Sequence, residues 1–119
     1  MRDKIIVLIK QPHSWPVVRT IPNDRKTFES IVEGYVEAVQ LRNNIIILYN
    51  QDAEILSSYH NKRNIIIASE GEMIDELRGT IIICSPDEDG YGDLETGALL
   101  DMYDDLCKDG EPIVEVKFT

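Results

Sequence analysis

Between Asp87 and Asp105 the chain carries Asp87, Glu88, Asp89, Asp93, Glu95, Asp101, Asp104 and Asp105, with no lysine or arginine among them. Carboxylates spaced along a loop and the helix after it can imitate DNA phosphates and occupy a basic groove on another protein. A solvated helix face would have the same composition, and the two readings stand about level. The run therefore marks a candidate partner-binding surface. It does not mark a catalytic one, because a general acid and base need two environments that push their pKa values apart.

A second candidate is His60-Asn61-Lys62-Arg63, where an amide, an ammonium and a guanidinium could hold a phosphate or carboxylate. Its simpler account is a loop whose cations pair with surrounding acids. Cys84 stands at the end of an apolar run, where nucleophiles occur, and His13 or His60 could in principle serve as its base. Nothing in the spacing brings them together, so a buried thiol is the favoured reading. Asp87 to Ala98 begins like a calcium loop, with acids at positions one and three and Gly92 at six. Tyr91 at five and Ala98 at twelve remove two side-chain ligands, the bidentate one included. Phosphate-binding glycine loops, serine nucleophile elbows and paired metal histidines are absent from the sequence. The expectation is no catalytic residue, no metal and no cofactor.

The elements that position these residues follow from periodicity. Ile5–Ile9 and Val17–Ile21 read as strands joined through the turn chemistry of Gln11 to Pro16, with Trp15 in the turn. Asn23 or Asp24 can cap a short helix carrying Phe28, Ile31 and Val32, ended by Gly34. Tyr35–Leu41 and Ile45–Tyr49 are strands that should pair through Arg42-Asn43-Asn44. Gln51–Arg63 reads as irregular. Ile65–Ala68 and Thr80–Cys84 are strands, with Met73–Leu77 suited to a helical turn between them. Asp93 is a good cap for a second helix, whose Leu99, Met102, Tyr103 and Leu106 repeat at one face before Gly110 ends it. Ile113–Phe118 alternates as a last strand. The expectation is one α+β domain over residues 1–119, a small, mixed, mostly antiparallel sheet with two helices in the order β-β-α-β-β-β-β-α-β.

The Gly34-Tyr35-Val36-Glu37 junction, the turn from Asn50 to Asp52, Asn61-Lys62-Arg63, and Gly79-Thr80 entering a strand before an acidic loop carry a family resemblance. Up to about Leu106 the chain resembles domain of unknown function 3846, small proteins of phages, plasmids and other mobile elements of bacteria. The resemblance supplies no catalytic residues. It implies a genetic setting in which small proteins often act on the host, for instance against its defences, by binding.

The formal net charge of −10 comes from 22 acidic against 12 basic residues. It argues against direct adhesion to nucleic acid or to an anionic membrane, and a basic host protein is the expected partner. No apolar run approaches the roughly 20 residues that span a bilayer, and Cys84 and Cys107 lack the spacing of a redox pair or zinc knuckle. A bacterial cytoplasm is the expected location. The leading expectation is a non-enzymatic inhibitor of a host protein, plausibly an anti-defence factor. The alternatives are sequestration of a small nucleotide, with Lys62 and Arg63 on phosphate at the interface of a homo-oligomer, and an enzyme using Cys84.

Overall fold

The structure, a computed structural model, describes residues 3–52, 62–88, 90–107 and 111–118. The elements are β1 (Lys4–Lys10), β2 (Val17–Pro22), α1 (Arg25–Val32), β3 (Val36–Arg42), β4 (Ile45–Asn50), β5 (Arg63–Ser69), β6 (Glu72–Arg78), β7 (Ile81–Asp87), β8 (Gly90–Gly92), α2 (Thr96–Leu106) and β9 (Ile113–Glu115). The α+β class is as read from the sequence, and the expected elements follow in the expected order, with β6 and β8 added between them and the strands divided between two sheets. The larger sheet is antiparallel in the order β2-β1-β7-β4-β3, with β8 also on β7. The smaller has the order β6-β5-β9, and β9 runs parallel to β5.

β7 decides the layering. Ile81, Ile82, Ile83 and Cys84 are all buried, so the strand has no face to give to water and needs cover on both sides. Ile82 and Cys84 point into a cluster with Ile5, Val7, Ile46 and Leu48, closed by Phe28 and Val32 of α1. Ile81 and Ile83 point the other way, towards Leu8, Ile45 and Ile47, where β5, β6, α2 and Val114 of β9 close the layer. The period-two geometry of the strand thus separates two cores across one sheet.

Four local readings change. Met73–Leu77 belongs to strand β6 and not to a helical turn; Ile74 is exposed while Leu77 is buried against β5, as suits an edge strand. Gly90–Gly92 folds back on β7 as β8, with Asp87 opposite Gly90, where the sequence offered only a loop. The left-handed residue that ends α1 is Glu33, at φ 61°, and not Gly34. The last strand stops at Glu115, after which Lys117 bridges to Arg42 of β3. Residues 53–61 and Gly110, expected as irregular chain and a helix end, lie outside the described residues.

Gly34 has a different task. A Cβ there would lie 2.7 Å from Asn50 Cγ. The Asn50 side chain needs that room to donate to the carbonyls of Val32 and Glu33, at 3.4 and 3.2 Å, and to accept from the Asp52 N–H at 2.9 Å. It thereby ties the end of α1 to the end of β4. Gly34→Ala should cost about 1–3 kcal/mol through lost hydrogen bonds and overpacking. Most of that cost should vanish when Asn50 is already alanine. Urea denaturation of the four chains in the double-mutant cycle measures it, and strict additivity would contradict the contact.

Candidate functional site

The buried stripe of α2 is Ala98, Met102 and Leu106, with Leu99 packed beside it. This differs from the expected stripe at Tyr103, which is 37% exposed, next to Leu100 at 64%. Periodicity alone offers both sets, since Leu99 and Leu100 are adjacent; the packing of β7 and β9 beneath the helix chooses. The outward face therefore presents Leu100, Asp101, Tyr103 and Asp104 together, two apolar side chains among carboxylates. Residues three and four apart on a helix are surface neighbours, so these four form one patch. Leu100 and Tyr103 are the members that a reading based on charge overlooks.

The other acids of the run do different work. Asp93 does not cap α2, whose N-cap is Glu95 and makes no side-chain bond. Asp93 Oδ1 accepts from the Ile6 N–H at 2.8 Å, and the Leu94 N–H donates to the Ile6 carbonyl at 2.8 Å. These bonds seal β1 where it parts from β7 beyond Leu8 and Ile83. Asp105 faces Arg42 Nη2 at 3.5 Å. Asp87 accepts from the Glu88 N–H, and both lie exposed at the tip of the β7–β8 hairpin. Glu95 is exposed at the start of α2, with its N–H donating to Ser85 Oγ. Asp89 lies outside the described residues. Among the described residues Asp101 and Asp104 make no ion pair.

An open groove of about 450 Å³ runs along this face, lined by Leu100, Asp101, Asp104, Asp105, Arg42 and Lys117. The run that lacks cations along the chain thus meets two of them in space. Arg42 reaches it from the end of β3 and Lys117 from beyond β9. Within this groove Asp105 is balanced by Arg42, and Asp101 and Asp104 are the carboxylates that make no ion pair among the described residues.

The second sequence candidate is dispersed. His60 and Asn61 lie outside the described residues. Lys62 contributes its carbonyl to the Gly79 N–H. Arg63 is held between Glu76, with Nε to Oε2 at 2.7 Å, and Glu111, with Nη1 to Oε2 at 3.0 Å; Arg78 shares Glu76 at 2.7 Å. Arg63, at the start of β5, is thus paired with surrounding acids. The Cys84 thiol is buried beneath α1, and desolvation pushes its pKa up to about 12. Such a thiol is protonated at neutral pH and a poor nucleophile. His13 is exposed in the β1–β2 turn. Among the described residues no three His, Cys, Asp or Glu side chains converge as a metal site, and no helix is long and apolar enough to cross a membrane.

One polar arrangement left no mark in the sequence. Lys10, at the end of β1, is 1% exposed, and its Nζ donates to Asn64 Oδ1 at 2.7 Å and to the Gln11 carbonyl at 3.3 Å. Asn64 Nδ2 donates to the carbonyls of Lys10 and Gly79, at 2.8 and 2.7 Å. The fully buried amide thus binds β1, the start of β5 and the turn between β6 and β7 at one point.

The pattern of a family described as Domain of unknown function (DUF3846) matches residues 1–106. The chain belongs to that family. In this member of DUF3846 the match takes in both hairpins, α1, β5 to β8 and α2, and leaves β9 outside. No curated protein and no solved structure matches it.

Burial holds the Lys10 pKa below its ordinary value, with the nearby Cys107 acting in the opposite direction. The folded form therefore releases its proton at lower pH than the unfolded chain does. Stability contributed at this site should rise with pH between the lowered value and the ordinary 10.5, and should be least below that window. Urea denaturation at neutral and at alkaline pH should show the parent chain gaining on Lys10→Met as pH rises. A pH-independent difference would contradict the desolvated amine.

Proposed function

We propose that this chain is a non-enzymatic binding protein that docks a basic protein partner on the outer face of α2. The observation that carries the reading is the patch of Leu100, Asp101, Tyr103 and Asp104: an exposed leucine and tyrosine between two carboxylates without ion pairs among the described residues. Tyrosine is enriched among residues that dominate interface energies, and charge around an apolar centre supplies steering and specificity. The helix is rigidly seated by Ala98, Met102 and Leu106, so little order has to be created on binding. A basic target with an apolar spot at its centre would suit it, and Arg42 and Lys117 would bound the footprint at one side.

The mobile-element setting implied by the resemblance supports a host protein as the target, and inhibition of a defence factor as the outcome. In that reading the protein acts in the bacterial cytoplasm by occupying a basic surface that its target uses for nucleic acid. The nucleotide-sequestering alternative draws less from the geometry, since Arg63 is already enclosed by carboxylates.

Affinity capture from a bacterial host lysate at low and high salt tests the proposal. A protein partner should be retained at low salt and released as salt rises, because the attraction acts between exposed charges. Asp101→Lys with Asp104→Lys should abolish retention, and Tyr103→Ala should weaken it by roughly tenfold or more. A partner indifferent to all three changes, or a bound nucleotide with no protein, would defeat the reading.

A further inference from the structure

Charge is distributed unevenly in a second way. From Lys4 to Asn23 the chain contains no aspartate or glutamate, while Lys4 and Arg19 are exposed cations. This stretch is the β1–β2 hairpin, and β2 is an outer strand of the larger sheet. Val17, Val18, Arg19 and Thr20 are all exposed, so β2 offers both faces as well as its free edge.

Exposed strand edges are normally blunted by bulges, charges or shortness. The other outer strands show such features. β3 changes register between Gln40 and Arg42, and β6 bears Glu72, Asp75 and Glu76 with two register shifts against β5. β9 is three residues long. By contrast, β2 pairs with β1 without a break from Lys4 opposite Pro22 to Ile9 opposite Val17. Pro16 and Pro22 mark its ends, and every residue between them retains an N–H. Trp15, 66% exposed, stands at one end and joins Ile9, Val17 and Arg19 around a groove of about 260 Å³. On the opposite face Ile6 and Val18 are exposed together.

We propose that β2 pairs antiparallel with β2 of a second copy, joining the larger sheets of two chains into one. The charge pattern favours this occupant. Two chains that each carry −10 can approach closely where neither brings a carboxylate, and this hairpin, acid-free over a longer stretch than the β3–β4 hairpin, is such a place. Antiparallel pairing sets residues of equal parity opposite each other, which allows a register with Val18 on the two-fold axis and Val17 opposite Arg19. The two Arg19 side chains then stand two positions out of register, roughly 7 Å apart along the strands, and do not directly oppose each other. Trp15 comes towards Arg19 of the second copy, within range of a cation–π contact. Pairing about Arg19 would set guanidinium against guanidinium and is disfavoured. This inference does not depend on the α2 reading, which concerns a different element.

Sedimentation analysis of the whole chain over a wide concentration range tests it. A concentration-dependent dimer is expected. Val18→Lys should abolish it while leaving thermal unfolding of the monomer intact, because Val18 is 45% exposed and outside both cores. Under mild oxidation Val18→Cys should link two copies, and Thr20→Cys should do so far less than Val18→Cys. A monomer at every concentration overturns the proposal. So does a dimer that survives Val18→Lys, or one lost on Asp101→Lys with Asp104→Lys in place of it.

Discussion

A strand whose side chains from Ile81 to Ser85 are all buried dictates the architecture. Because Ile81, Ile82, Ile83 and Cys84 are all buried, β7 can exist only where hydrogen-bonding partners flank it and apolar layers cover both faces. The hairpins β1–β2 and β3–β4 provide the flanks. α1 provides one cover with only eight residues, and the second sheet with α2 provides the other. The Lys10–Asn64 contact is a product of the same packing. Where the second sheet closes over the end of β1, an ammonium and an amide are removed from water, and each satisfies the other.

The acidic run shows how one composition separates into tasks once it folds. Asp93 substitutes for a missing strand partner at Ile6, Asp87, Glu88 and Glu95 lie exposed around the β7–β8 hairpin and the start of α2, Asp105 balances Arg42, and along α2 Asp101 and Asp104 are left on the surface. The net charge of the chain therefore exaggerates the charge available to a partner. What the fold contributes is the placement of Leu100 and Tyr103 at the centre of that remainder.

Much of the framework was legible because local rules and tertiary packing agreed. The two hairpins, the Asp24 cap, whose Oδ1 accepts from the Thr27 N–H at 2.7 Å, and the two helices rest on short-range chemistry. β6 was not legible, since an outer strand with Met73 and Ile74 exposed loses the alternation that marks a half-buried strand, and Met73, Ile74 and Leu77 imitate a helical turn. Lys10 was not legible for a related reason. A lysine at a strand end ordinarily reaches water, and here Asn64, 54 positions later, joins the Gln11 carbonyl in accepting its hydrogen bonds. In the candidate site the acids were visible as a list, but the phase of α2 was not. That phase depends on which leucine the underlying strands accept, a contact remote in sequence.

The placement of β7 between the two hairpins also bears on the order in which the chain is made. β1 and β2 are synthesised first and β3 and β4 next, and each hairpin can close on its own with local contacts. Neither has its inner neighbour until residues 81–87 emerge, because that strand is the link between β1 and β4. For most of synthesis the two hairpins are separate pieces, with the apolar inner edges of β1 and β4 waiting. Non-local pairing of this kind is slow to form and leaves strand edges open meanwhile. The growing protein is thus most vulnerable to mispairing just before its central strand arrives, and a pause in translation ahead of Ile81 would lengthen that interval.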